Sequence, residues 1–276
     1  MNKILWKPIS FFSINLLIIS LCSAALAGVI GNPIPTIKPN GFQMGIEGDM
    51  VKRDVKIEDE EETEEVKSNR YMLKGTFGIT DKINIYAKLG MADGKIDLPN
   101  EMDLDDDSFA VDDFKGDLEF CYGAGLKALI YNQDNLKLGF SFQLHNFKTE
   151  DNIFEGVEAI YVEDLDEWLY LNKIRLEIDW WEYDLAFGSS YDIQGNFTVY
   201  GGIMYSKLDG EMTVKIEASD FYGYTFSGSD KVDAEEDDSF GVFLGGTFNI
   251  NPQFSVGLEG RFIHETSFAL TAGYAF

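Results

Sequence analysis

The last ten residues, Ser267 to Phe276, constrain the fold more than any other stretch of the chain. Phe268, Leu270, Ala272, Tyr274 and Phe276 share one parity, and Ala269, Thr271, Gly273 and Ala275 the other. This is period-two patterning, the mark of a strand with one apolar face. A strand that is apolar on one face and ends on an aromatic leaves an open backbone edge beside a hydrophobic surface. Both liabilities vanish when the sheet closes on itself and turns that face to lipid. The expected class is therefore all-β, an antiparallel transmembrane β-barrel.

The opposite end is consistent with export. Lys3 and Lys7 make the first residues positive, Ile9 to Leu21 form an apolar core, and Ala25-Leu26-Ala27 places small residues where a signal peptidase reads. Residues 1–27 are expected to be a cleaved signal peptide, since the apolar run is shorter than the ~20 residues of a spanning helix. Cys22 raises a lipoprotein alternative, but Leu21 stands where such signals need a small residue. Cleavage would remove two lysines and no acid, taking the formal charge from −26 to −28. Cys121 would then be the sole cysteine, so the backbone ladder rather than a disulfide must hold the exported chain together. Such acidity disfavours nucleic acid and favours cations or basic partners.

Residues 28–40 carry Pro33, Pro35 and Pro39 and read as a periplasmic lead-in, with the barrel over 41–276. Ten alternating segments follow, near residues 42–50, 71–79, 83–91, 118–130, 136–144, 174–191, 197–206, 240–250, 254–262 and 267–276; eight strands is the rival count. The sixth changes phase. Ile174, Leu176, Ile178 and Trp180 share one parity, whereas Trp181, Tyr183, Leu185, Phe187 and Tyr191 share the other. Either a bulge lies near Trp180-Trp181, or the first half projects above the membrane. Turns of two to five residues would face the periplasm, and segments 52–69, 92–115, 148–173 and 207–237 would form long external loops. Tyr71, Tyr122, Trp181, Tyr191, Tyr205 and Tyr274 fall near strand ends, where an aromatic girdle belongs.

The ending at Tyr274 and Phe276 resembles the assembly signal of bacterial outer-membrane barrels. With the leader, Trp181-Glu182-Tyr183-Asp184-Leu185-Ala186-Phe187-Gly188, Glu259-Gly260-Arg261-Phe262 and Ala272-Gly273-Tyr274-Ala275-Phe276, the chain resembles the small outer-membrane β-barrel superfamily of opacity-protein and OmpX/OmpW-like barrels. The resemblance implies the outer membrane as location, with its lipids and the barrel-assembly machinery as partners. Members of that superfamily serve as small-solute pores, adhesins, structural surface proteins and, in a minority, enzymes, so no functional residue is carried over.

The alternation turns Glu47, Asp49, Arg70, Lys74, Lys88, Glu119, Lys127, Lys137, Asp184, Glu259 and Arg261 inward, with Tyr86, Tyr131, Tyr200 and Phe243. Glu47, Lys74, Lys88, Glu119, Lys127, Glu259 and Arg261 are the candidate lumen-lining set. In so narrow a barrel these charges either pair into a plug or border a narrow aqueous path. Outside, acidic blocks lie at 58–65, 103–107, 163–167 and 233–238. Asp103, Asp105, Asp106 and Asp107 are candidate ligands for Ca²⁺ or Mg²⁺, although no stretch matches the twelve-residue calcium loop. No cofactor is expected. His145, with Glu150, Asp151 and Asp184 as candidate partners, is the one foothold for catalysis, and no nucleophile accompanies it, so the chain reads as a non-enzyme. These observations lead to a small porin-like or structural surface barrel, or alternatively to a non-conducting adhesin that binds divalent cations or basic partners through acidic loops.

Overall fold

The computed structural model describes residues 29–57, 63–98, 101–104, 107–162, 167–193, 195–236, 240–263 and 265–276. Every regular element among them is a strand: β1 (Phe42–Ile57), β2 (Thr63–Thr80), β3 (Ile83–Ile96), β4 (Glu101–Leu104), β5 (Asp107–Ala110), β6 (Phe114–Gln133), β7 (Leu136–Val162), β8 (Glu167–Ile193), β9 (Phe197–Ser219), β10 (Thr225–Glu236), β11 (Phe240–Asn249), β12 (Phe254–Phe262) and β13 (Glu265–Ala275). The main ring runs β1-β2-β3-β6-β7-β8-β9-β11-β12-β13 and returns to β1. It has ten strands, each antiparallel to its neighbours. These are the ten segments the alternation marks out.

The C-terminal strand closes the cylinder. β13 pairs with β1 from Gln43↔Ala275 to Arg53↔Glu265. The Phe276 amide donates to the Phe42 carbonyl at 2.9 Å, and the two rings stack with centroids 6.0 Å apart. Tight turns join β2 to β3, β6 to β7, β8 to β9 and β11 to β12 at the same end. The six expected girdle aromatics all face outward, and Tyr122 meets Trp181 edge-on at 5.9 Å.

All four expected external loops are largely strand. β7 and β8 each extend over 27 residues and β9 over 23, whereas β12 and β13 have only 9 and 11. The wall is therefore tall on one side and low on the other. Where β11, β12 and β13 stop, β10 takes their place. β9 pairs with β11 as far as Tyr205↔Phe240 and with β10 from Asp209↔Glu235 upward. β1 likewise changes partner, from β13 at Arg53↔Glu265 to β10 at Val55↔Glu236. A ten-stranded lower ring thus continues into an upper ring formed by β1, β2, β3, β6, β7, β8, β9 and β10, which is open at the β6–β7 seam, where the ladder stops at Tyr122↔Asn146.

No bulge interrupts β8 at Trp180. Ile174, Leu176, Ile178, Trp180, Glu182, Asp184 and Ala186 are all buried on one continuous inner face. Of the two readings of the phase change, projection above the membrane is the one found. The upper ring encloses an apolar core that includes Val66, Ile96, Phe114, Phe147, Leu176 and Trp180. With fewer strands around it than the lower ring, the upper part is narrow enough for interior side chains to fill.

Candidate functional site

The lumen of the lower ring is the candidate site. Its side chains come from inward positions of strands whose opposite parity faces lipid, so the alternation that builds the outer band also sets the inner one. Six acids (Glu47, Asp49, Glu182, Asp184, Glu259 and Glu265) and six bases (Arg53, Arg70, Lys74, Lys88, Lys127 and Arg261) meet inside. Charge balance is what a narrow interior demands, since an unpaired buried ion costs several kcal/mol.

The pairs lie in tiers. Nearest the upper core, Arg53 Nε donates to Glu265 Oε2 at 3.1 Å, and Arg70 Nη2 donates to Glu182 Oε2 at 3.1 Å. Arg261 bridges downward, with Nη1 2.9 Å from Glu265 Oε1 and Nη2 2.7 Å from Asp49 Oδ2. Below these, Glu47 is held between Lys74 at 2.8 Å and Lys88 at 2.9 Å. Lys74 also lies 4.4 Å from the centre of the Tyr86 ring. Gln143 ties the tiers together, accepting from Lys88 and the Tyr86 hydroxyl and donating to Asp184 at 2.8 Å.

The segment expected as a periplasmic lead-in enters the barrel instead. Val29, Ile30, Ile34 and Ile37 are buried, and Ile30 joins Ala186, Tyr200, Met204 and Phe243 in a second apolar cluster. Chain with prolines at 33, 35 and 39 cannot join a ladder, so its carbonyls need other donors. The lumen supplies them. Lys88 Nζ donates to the Val29 carbonyl at 2.7 Å, Lys127 Nζ to that of Asn32 at 2.6 Å, and Asn84 Nδ2 to that of Ile37 at 2.9 Å. Glu259 Oε1 accepts from the Ile30 amide at 3.1 Å. Gly31 sits at φ +66°, and a Cβ there would stand 3.1 Å from Lys127 Nζ, so the crossing requires glycine. Below this segment a vestibule of about 1060 Å³ opens, lined by Lys74, Lys127, Lys137, Asp192, Tyr200 and Gln253 among others.

Of the candidate lumen-lining set, Glu47, Lys74, Lys88, Lys127, Glu259 and Arg261 come together as described. Glu119 does not join them. It is exposed, although it stays in register opposite buried Ala92 and shares the parity of buried Cys121. Tyr131 also faces out, because the ladder slips between Leu129 and Tyr131. Lys137 pairs with Asp192 at 2.7 Å at the vestibule rim. His145 is buried mid-strand rather than at the rim, because β7 continues to Val162, and the residue opposite it is Glu182, not Asp184. Sequence reasoning missed Arg53, Glu182 and Glu265. The parity of Glu47 and Asp49 carries on to Arg53, and that of Asp184 back to Glu182; taking 52–69 as loop hid the first.

Asp103 and Asp107 lie on the β4–β5 hairpin, while Asp105 and Asp106 fall outside the described residues, as do residues 1–28 and parts of the other acidic blocks. Among the described residues no group of three or more acids, histidines or cysteines is arranged to hold a metal. Tyr274 and Phe276 face outward at the closing seam, with ring centroids 5.0 Å apart.

A closed antiparallel ring with an apolar, aromatic-belted outside and a polar inside defines a bacterial outer-membrane β-barrel. Residues 36–163 match the family model described as outer membrane protein beta-barrel domain. No curated protein matches the chain in sequence. Among solved structures, the translocator domain of autotransporter NalP from Neisseria meningitidis is 9% identical over 86% of this chain and 88% of that one, with a TM-score of 0.43. The outer membrane protease OmpT from Escherichia coli is 11% identical over 88% and 98%, with a TM-score of 0.42. The outer membrane protein OprG from Pseudomonas aeruginosa is 11% identical over 88% and 99%, with a TM-score of 0.37. Likenesses of this size transfer no activity.

Proposed function

We propose that this protein is a closed, non-conducting outer-membrane barrel whose task is to hold a tall acidic β-extension at the cell surface. The observation that carries this reading is the filled interior. Any solute entering from below would have to pass the 29–37 crossing, the ion-pair tiers and then the apolar core of the upper ring. Opening such a path means separating paired buried charges, each costing several kcal/mol. The acidic extension attracts divalent cations and basic partners, and its function is surface interaction rather than transport. The porin-like alternative is supported by the vestibule, which is wide and polar at the periplasmic mouth.

Planar-bilayer recording of the folded, reconstituted protein separates the two. The closed barrel stays silent at moderate voltage in molar salt. Discrete, reproducible, cation-selective steps would sink the closed reading in favour of a narrow pore.

A further inference from the structure

The β9–β10 hairpin ends in Asp220-Phe221-Tyr222-Gly223-Tyr224, and its three aromatic side chains are turned away from the protein. Phe221 is 78% exposed, Tyr222 84% and Tyr224 70%. These rings are far from the lipid-facing band, so the barrel's own membrane does not account for them. Nor are they at the end of a loose loop. Asp220 Oδ1 accepts from the amides of Tyr222 at 2.9 Å and Tyr224 at 2.8 Å, and the Asp220 carbonyl accepts from Gly223 at 3.1 Å. Gly223 takes φ +83°, which closes the turn, and the Asp220 amide donates to the Tyr224 carbonyl at 3.0 Å. Phe221 and Tyr222 pack edge to face, with centroids 5.8 Å apart. At the root of the turn, Phe226 packs against the upper core and anchors the hairpin. Trp168, 56% exposed, belongs to the same end of the molecule, two residues beyond Tyr170, whose partner across the ladder is Ser219.

A turn built this firmly holds rings outward at a standing hydrophobic cost, since each leaves a large apolar area in water. Three features say what covers them. The tip is convex, a two-stranded arm ending in a tight turn, so it enters a soft partner rather than enclosing a small ligand. The rings are the amphipathic and aromatic kinds that settle at the headgroup boundary of a bilayer. The arm is also long. From Trp181 to Tyr170, β8 climbs about 25–30 Å above the girdle when strand rise and barrel tilt are combined. The bilayer it meets therefore faces the cell from outside.

Charge narrows the choice further. Across residues 148–162, 167–179, 209–220 and 225–236 the extension carries fifteen acids and five bases. An anionic surface is repelled by that field, and a zwitterionic one is not. We propose that the Phe221–Tyr224 tip docks onto an apposed zwitterionic lipid bilayer by inserting its rings at the headgroup boundary. The inference is independent of whether the lumen conducts.

The test uses the whole barrel in nanodiscs, mixed with phosphatidylcholine vesicles and separated by flotation. The native protein floats with the vesicles. The triple variant F221S/Y222S/Y224S loses tenfold or more of that partition, on the order expected for removing three interfacial aromatics. Binding survives molar salt, and vesicles rich in phosphatidylserine capture less protein at low salt than at high salt. Heat-modifiable migration and protease resistance confirm that the variant is folded, which its surface location allows. Equal flotation of the two proteins, or no flotation of the native one, would overturn the proposal. So would aromatic-dependent binding to a glycan or a protein with none to the lipid.

Discussion

The lower and upper rings are built from the same strands and obey opposite rules. Along β8, every second residue from Ile174 to Ala186 points inward. Below the girdle those positions hold Glu182 and Asp184; above it they hold Trp180, Ile178, Leu176 and Ile174. The outer face reverses in step, from Tyr183, Leu185 and Phe187 below to Lys173, Arg175, Glu177 and Asp179 above. Lipid outside the lower ring removes any hydrophobic drive to send apolar groups inward, while water outside the upper ring restores it. The difference teaches that the surrounding solvent, not the strand, decides which parity is buried.

That contrast predicts unequal responses to mutation. Arg261→Met in the lower ring leaves Asp49 without its 2.7 Å partner and Glu259 without its nearest guanidinium. The expected loss is about 3–5 kcal/mol, as for other buried pairs broken from one side. It is read from the urea midpoint of the folded-barrel band on heat-modifiability gels. An unchanged midpoint would mean that the interior is hydrated and the tiers are not a sealed network.

Leu176→Ala in the upper ring removes buried methyl groups and should cost about 2–4 kcal/mol. The cost should fall on the extension alone. Limited proteolysis would then cut the upper strands of β7 to β10 while the membrane-embedded core kept its folded mobility. Simultaneous loss of both would show that the two rings unfold as one unit. The smallest effect belongs to the outer surface of the extension. Lys215→Ala breaks its half-exposed pair with Glu177, and solvent screening holds the cost within about 1 kcal/mol. A larger shift in the extension's protease resistance would place that surface in the fold's cooperative core.

Much of this was legible in advance where the signal was local. Phe268, Leu270, Tyr274 and Phe276 announce a lipid-facing closing strand within a few residues of one another, and β2, β3, β11 and β12 show the same pattern between tight turns. Glu47, Lys74, Lys88, Glu259 and Arg261 followed from parity alone. Tyr131 did not, because a single slipped residue reverses a side chain and leaves no mark in composition. The acidic stretches at 148–173 and 207–237 read as loops because strand membership there depends on a partner strand rather than on hydropathy.

The sequence by itself determined the ten lipid-crossing strands, their parity and the seam at Phe276, because a bilayer imposes a strict two-residue rule that short segments satisfy independently. Only the tertiary structure decided that β10 replaces β11–β13 above the membrane, that Arg53, Glu182 and Glu265 join the ion-pair tiers, and that residues 29–37 cross the lumen. Each of these rests on contacts between residues far apart in the chain, and no local pattern encodes which distant donor will meet a given carbonyl.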